Sequence, residues 1–300
     1  MNMQTTRILG ALALVLAATP TLHAQMLKDG TSLVWNKEIS VSQSTLQGDG
    51  ATYTAMSVPV YEAKASQVWA LLKTELPGAV FRKEGQFMKA SGVSFSSALS
   101  SPVDIVAKTE DVKKMNMSTL TMAFLAPGTT TVVEDEALNP AMRELSVKLN
   151  KAVVQQQVNE WSKKLGKADS KTASAAKAQD KAQGKANKAQ AKLTKITKEK
   201  SKLQNQHAVL QKEIDLHNQK WTLSQNPKDL KKLTKAREKI TKNDGKMAKL
   251  MDQEAKAQKE VAKTSSNLPD AEKAKDEKAA TQAEVQRTVD ALQRKLENIR

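Results

Sequence analysis

The sequence predicts an α+β fold: a small antiparallel sheet with one covering helix, followed by a long α-helical C-terminal half folded as an antiparallel coiled-coil hairpin. Three features predict it. Between Gly50 and Val133, short runs of alternating character are punctuated by glycine and interrupted once by a helical stripe. From Asn139 onward, apolar residues recur every three or four positions in a stretch dominated by Ala, Lys, Gln and Glu. The charge divides at the same place. Residues 25–135 carry 10 Lys/Arg against 11 Asp/Glu, whereas 136–300 carry 37 against 21, which accounts for the whole net charge of +16. Such asymmetry speaks to partners and not to fold.

The N-terminus has the layout of a secretory signal peptide over 1–24. Arg7 precedes an apolar run from Ile8 to Ala18, and small residues lead to a cleavage point after Leu22-His23-Ala24. The apolar run is about half of the roughly 20 residues that a bilayer span needs, which disfavours an anchor. No later stretch is apolar enough to span, so the expectation is an exported chain that is periplasmic, with secretion as the alternative. Cysteine is absent. That removes disulfides, a lipid-modified cysteine, thiolate metal sites and thiol nucleophiles.

Residues 25–138 are expected to form the small α+β domain. Alternation over Thr52–Val60 suits a strand, with Tyr53, Ala55 and Ser57 on one side and Thr54, Met56 and Val58 on the other. Val68, Trp69, Leu72 and Leu76 then share one helix face, ended by Pro77-Gly78. Further short strands are predicted at 79–82, 86–90, 93–96, 103–108 and 120–125. One helix among several strands implies an antiparallel sheet covered on one face. Trp69 and Phe81 are read as core. Glu62, Asp104 and Glu110 stand singly with no histidine to pair with, and the serines of 94–97 and 100–101 lack a nucleophile motif. The sequence therefore points away from an enzyme, with no catalytic residue, no cofactor, no metal and no small-molecule substrate evident.

The coiled-coil region spans 139–300, read as arm 1 at 139–225, arm 2 at 227–264 and arm 3 at 268–300. Asn139-Pro140 and Asn226-Pro227 both have the form of a helix start, Asn as cap and Pro at the first helical position. Leu193, Ile196, Leu203, Leu210, Ile214 and Trp221 sit on one heptad stripe, and Val285, Val289, Leu292, Leu296 and Ile299 on another. Alanines at 175, 178, 182, 186 and 189 extend the first stripe toward the N-terminus. Folding near 225–226 sets Trp221 against Leu230 and Leu203 against Met247. Ser265 to Pro269 predicts a break, opposite Gly184, as a joint in the stalk. His207 and His217 fall on the stripe ten residues apart, a spacing that suits seam positions and not a metal pair.

Lys163 to Asn205 holds 13 lysines against Asp169, Asp180 and Glu199. Lys177, Lys181, Lys185, Lys188, Lys192 and Lys195 are the candidate contacts for an anionic polymer. No arginine and no interleaved aromatic supports bidentate phosphate contacts or base stacking.

The stretches Tyr61-Glu62-Ala63-Lys64-Ala65-Ser66-Gln67-Val68-Trp69, Val80-Phe81-Arg82-Lys83-Glu84-Gly85-Gln86-Phe87 and Val103-Asp104-Ile105-Val106-Ala107-Lys108 carry a resemblance. In this order, ahead of a lysine-rich helical hairpin, they resemble a family of uncharacterised exported bacterial proteins with a small α+β domain. The resemblance implies that architecture and brings no activity with it. The expected function is a structural or interaction protein of the bacterial envelope, its coiled-coil stalk presenting the small domain to a protein partner or to a second copy. The alternative is a polyanion-binding protein that uses the lysine-rich helix face.

Overall fold

The computed structural model describes residues 26–300 except 28, 29, 49, 97, 98 and 100. The signal segment 1–24 and the serines Ser97 and Ser100 lie outside the described residues. The chain divides into two units. One runs to Ser162 and also takes in Arg287–Arg300; the other is Lys163–Gln286. The first is larger than the expected 25–138.

Six strands build the sheet of the first unit: β1 (Ser42–Gly48), β2 (Ala51–Tyr61), β3 (Arg82–Glu84), β4 (Phe87–Val93), β5 (Val103–Val112) and β6 (Met117–Leu125). Helix α1 (Ala65–Glu75) follows β2. Every pairing is antiparallel, in the order β1-β2-β6-β5-β4-β3. The sheet curls far enough that a side chain on Gly48, in β1, would collide with the Phe87 ring of β4. Side chains of β2, β5 and β6 alternate between two apolar clusters. Val58, Ile105, Leu120 and Met122 face one, while Tyr53, Val106 and Ala123 face the other with Leu46 and Phe87.

The first cluster is covered by two helices and not by one. Val68 and Leu72 come from α1, as expected, and Leu71 joins them. Leu138, Met142, Leu145, Leu149 and Val153 come from the opening turns of α2 (Leu138–Ser224). Their spacing of three and four places them on one helix face. These turns, assigned from sequence to the coiled coil, thus belong to the core of the α+β unit. Asp135 caps them, its carboxylate accepting the Ala137 N–H at 2.8 Å. The cap sits upstream of the expected Asn139.

Several local expectations shift. β1 has no counterpart in the sequence reading, since Ser42, Gln43, Ser44 and Thr45 are polar and only Leu46 is buried in that strand. β3 begins at Arg82, and Ala79 to Phe81 form its approach and not a strand. Trp69 and Phe81 do pack on the core, their rings edge-on with centroids 5.7 Å apart. No side chain of α1 caps its own N-terminus. Asp111 of β5 supplies the acceptor instead, taking the Ala65 N–H at 2.6 Å and the Ser118 hydroxyl at 2.8 Å. Those hydrogen bonds, that of Ser118 foremost, hold the Asp111 carboxyl below its ordinary pKa.

Beyond Ser57, β2 has no β1 residue beside it. An open edge needs partners for its peptide groups, and α2 provides them. Asn150 donates its amide to the Pro59 carbonyl at 3.0 Å and accepts the Tyr61 N–H at 2.9 Å. Ser146 donates to the same Pro59 carbonyl at 2.8 Å. Both side chains are buried. The asparagine imitates an adjoining strand, and it fixes where α2 crosses the sheet.

The C-terminal turns of α3 (Pro227–Glu297) close this unit. Ile299 packs with Ile39 and Val154, flanked by Trp35, Val147 and Leu296. One turn away, the side chain of Lys295 is 1% exposed and its ammonium lies 2.6 Å from the Glu62 carboxylate. It also donates to the Ser32 carbonyl at 2.7 Å and meets Gln157 Oε1 at 3.4 Å. Glu62 accepts the Ser32 N–H at 3.1 Å and the Gln157 amide at 3.0 Å. Its backbone is left-handed, with φ 54°, a strained choice for a residue with a side chain. The strain is held by the Glu62 N–H donating to Asn116 O at 2.7 Å and by the buried ion pair.

The second unit consists of the middle of α2 and most of α3. Gln225, at φ 52°, ends α2, and Asn226 caps α3 by accepting the Lys228 N–H at 2.9 Å. The predicted second start is therefore present. The break expected at Ser265–Pro269, and with it the division into arms 2 and 3, is absent: α3 runs through Pro269. A proline costs the helix one hydrogen bond, and the Lys-, Ala- and Glu-rich flanks propagate the helix on both sides.

The buried ion pair yields a direct prediction. Lys295→Met leaves the Glu62 carboxylate without its cation and should destabilise the chain by about 3–5 kcal/mol. Adding Glu62→Gln should recover most of that loss. Urea denaturation of the full chain reads both; a Lys295→Met midpoint equal to wild type would refute the pair's role.

Candidate functional site

Polar contacts cross between α2 and α3 along the second unit. Lys200 Nζ lies 2.6 Å from a Glu254 carboxylate oxygen, Lys192 Nζ 3.3 Å from Glu260, and His207 Nε2 3.2 Å from Asp244. Gln282 donates to Asp169 at 2.8 Å. Ile196, Leu250 and Ala257 form a buried cluster, with Leu193 and Leu203 packed on it. The Lys200–Glu254 pair is the most sheltered of these three. Its side chains are 24% and 17% exposed, so it is screened less than the surface pairs.

All six predicted lysines are exposed. Lys177, Lys181, Lys185, Lys188, Lys192 and Lys195 follow one another at intervals of three and four, so one side of α2 carries them. Each precedes or closely flanks a less exposed seam residue such as Ala182, Ala189 or Ile196. Lys192 alone among the six has an ion pair among the described residues. The structure keeps them together as a face, and among the described residues none of them lies over an aromatic ring.

A second basic row escaped the sequence reading. Lys228, Lys232, Lys235, Lys239, Lys242, Lys246 and Lys249 alternate intervals of four and three along α3, and all are exposed. Their signal was present in the spacing. A count of charge density hides it, because Asp229, Glu238 and Asp244 lie between the lysines. This row borders two adjoining grooves between α2 and α3, of about 510 and 450 Å³. The apolar side chains in their walls are Leu203, Val209, Leu210 and Leu250.

In the first unit, a recess of about 520 Å³ opens between β2, β6 and the start of α2. Met56, Met122, Phe124 and Leu138 make it apolar, and Glu134, Asp135 and Glu136 stand at its margin. Its lining has no histidine, lysine or serine. Tyr61, elsewhere in this unit, donates its hydroxyl to the Glu38 carbonyl at 2.9 Å. Burial first, and the Glu38 charge second, raise its pKa. Among the described residues no group of three or more His, Asp or Glu is placed to hold a metal ion. No helix of the described residues is long and apolar enough to cross a membrane. His207 and His217 stay on the inner side of α2 as half-buried residues, and His207 faces Asp244 and not His217.

Comparison of the chain with known protein families and with curated proteins finds no match.

Proposed function

We propose that the protein is an exported structural and interaction protein of the bacterial envelope, whose two long helices pair as an antiparallel coiled-coil hairpin and act as a binding surface for a protein partner. One observation carries the pairing. The residues that touch between α2 and α3 lie nearly equal distances along the chain from Asn226: Lys192 with Glu260, His207 with Asp244, Asp169 with Gln282. Within the first unit, Gln157 and Lys295 obey the same rule. A parallel association of helices would produce no such symmetry about a turn. The Leu, Ile and Ala stripe gives the pair an apolar seam, and the lysine rows give it a soluble, strongly basic exterior. The serines of 94–97 and 100–101 lack a nucleophile motif and residues 25–138 contain no histidine, which favours binding over catalysis. The signal-like N-terminus and the resemblance to exported α+β proteins support a periplasmic location, with secretion as the alternative.

The exposed lysine face from Lys177 to Lys195 favours a second reading, in which an anionic polymer binds there by charge alone.

Three measurements test these readings. Cysteines replacing Leu203 and Met247, or Trp221 and Leu230, should cross-link within one chain; cross-links found only between chains would replace the hairpin by a parallel dimer. Export predicts that the native protein begins at or near Gln25 and is recovered outside the cytoplasm, and an intact mass retaining Met1 would oppose it. Polymer binding predicts retention on heparin or DNA that weakens steeply with salt, with a log–log slope near −0.9 per phosphate contact and about three to six contacts. Replacing Lys177, Lys181, Lys185 and Lys188 with Gln should flatten that slope while preserving helicity. No retention at about 50 mM salt would leave the lysines as a solubility coat.

A further inference from the structure

We propose that the grooved side of the helical pair, bordered by the lysine row of α3, is the docking site for an acidic amphipathic helix of another protein. The proposal rests on the coiled-coil reading above and names the chemistry of the partner.

Three independent features meet in this groove. The first is shape. The two adjoining grooves share Leu203, Gln206 and Lys246, so they form one continuous channel. From Lys239 to Lys249 the α3 wall rises on the order of 15 Å, or about three turns of a helix lying along it. Helix-in-groove recognition works at this scale, through apolar anchors at intervals of three and four. Leu203, Leu210 and Leu250 provide the apolar floor, and Val209 at its edge is left 59% exposed.

Charge is the second feature. Lys239, Lys242, Lys246 and Lys249 line the α3 side and Lys202 the α2 side, against one carboxylate, Glu199. None of these lysines forms an ion pair among the described residues. Their heptad spacing matches a row of Asp or Glu flanking the apolar stripe of a partner helix, the arrangement that sets partner choice in coiled coils. Charge also argues against two other occupants. A second copy of this chain would bring lysine rows against lysine rows. A polyanion would satisfy the ammonium groups but leave the leucines and Val209 uncovered.

The third feature is an unmatched polar atom. Asn243 lines the same groove, is only 5% exposed, and its Oδ1 has no hydrogen-bond partner. Buried acceptors without donors are uncommon because they forfeit hydration and gain nothing. The oxygen lies beneath the groove surface, so a turn of the Asn243 side chain toward the groove would let a docked helix supply the missing donor and set the register, the role that a single polar residue plays in many coiled coils.

The test uses the full chain and three fluorescent synthetic helices of four heptads. The first has Leu at the a and d positions flanked by Glu; in the second, Ser replaces Leu; in the third, Lys replaces Glu. At about 150 mM salt, where long-range charge effects are screened, anisotropy should report binding of the Leu/Glu helix only. The double variant Lys242→Glu, Lys246→Glu should weaken it at least about tenfold, and Val209→Glu likewise, whereas Lys177→Glu with Lys181→Glu at the other basic face should leave it unchanged. Equal binding of the Ser/Glu helix would overturn the proposal in favour of a charge-only polyanion surface. Unchanged binding by the groove variants would overturn it outright, and so would sedimentation showing that wild-type chains self-associate and the groove variants do not. A chain that forms the intramolecular Leu203–Met247 cysteine cross-link and still binds no Leu/Glu helix removes the groove proposal and leaves the hairpin standing.

Discussion

The buried ion pair between Lys295 and Glu62 is the constraint on which the rest depends. An ammonium group at 1% exposure is tolerable only beside an opposite charge with its remaining protons satisfied, and Glu62, Ser32 and Gln157 meet that condition together. Those four residues come from the N-terminal segment, the end of β2, the root of α2 and the last turns of α3. Once they are required to meet, the chain between Gln157 and Lys295 must leave and come back. Two helical stretches of nearly equal length, from Gln157 to the turn at Gln225-Asn226 and from there to Lys295, satisfy that requirement. The left-handed backbone of Glu62 is then intelligible as strain held at the junction where four segments converge.

A second constraint acts on the sheet. β1 is shorter than β2, so the far end of β2 exposes peptide groups that no strand reaches. Asn150 and Ser146 fill the vacancy from α2. Because a side-chain amide offers one donor and one acceptor at the spacing of a neighbouring strand's peptide, the docking is geometric as well as energetic. With Leu138, Met142, Leu145 and Leu149 on the same helix, α2 is anchored by both polar and apolar contacts. The opening turns of α2 belong to the core of the first unit and its middle to the second unit, and this explains why its composition changes along its length, from Leu/Val-rich to Ala/Lys-rich.

Charge and packing are separable in the helical unit. Lysine favours helix and keeps long Ala-rich helices soluble, so an even coat of lysine alone would carry no message. Two basic rows differ in surroundings. The row at Lys177–Lys195 runs beside an Ala-lined seam, whereas the row at Lys228–Lys249 runs beside a groove floored by leucines and an unmatched asparagine. The two rows thus differ less in charge than in what lies beside them.

By itself the sequence determined much of what depends on neighbours close in the chain. Alternation specified β2, short runs between turn residues pointed to β5 and β6, a helical stripe with Pro77-Gly78 specified α1, and the Asn226-Pro227 pair specified the start of α3. The lysine rows are equally local, legible from spacing alone. Tertiary structure decided the rest. β1 is a polar strand whose identity comes from the β2 residues it pairs with, so no alternation announces it. The helix through Pro269 persists because the cost of one lost hydrogen bond is spread over a long element, against the local rule. Lys295 is one lysine among many in the sequence, and Asn150 one polar residue in a helix; each acquires its role from a partner far away along the chain, at Glu62 and at Pro59. The groove belongs to the same class, because a floor shared by Leu203 and Leu250 exists only when two helices lie side by side. Local periodicity encodes elements; burial of a charge, closure of a sheet edge and the walls of a groove are properties of pairs that only folding brings together.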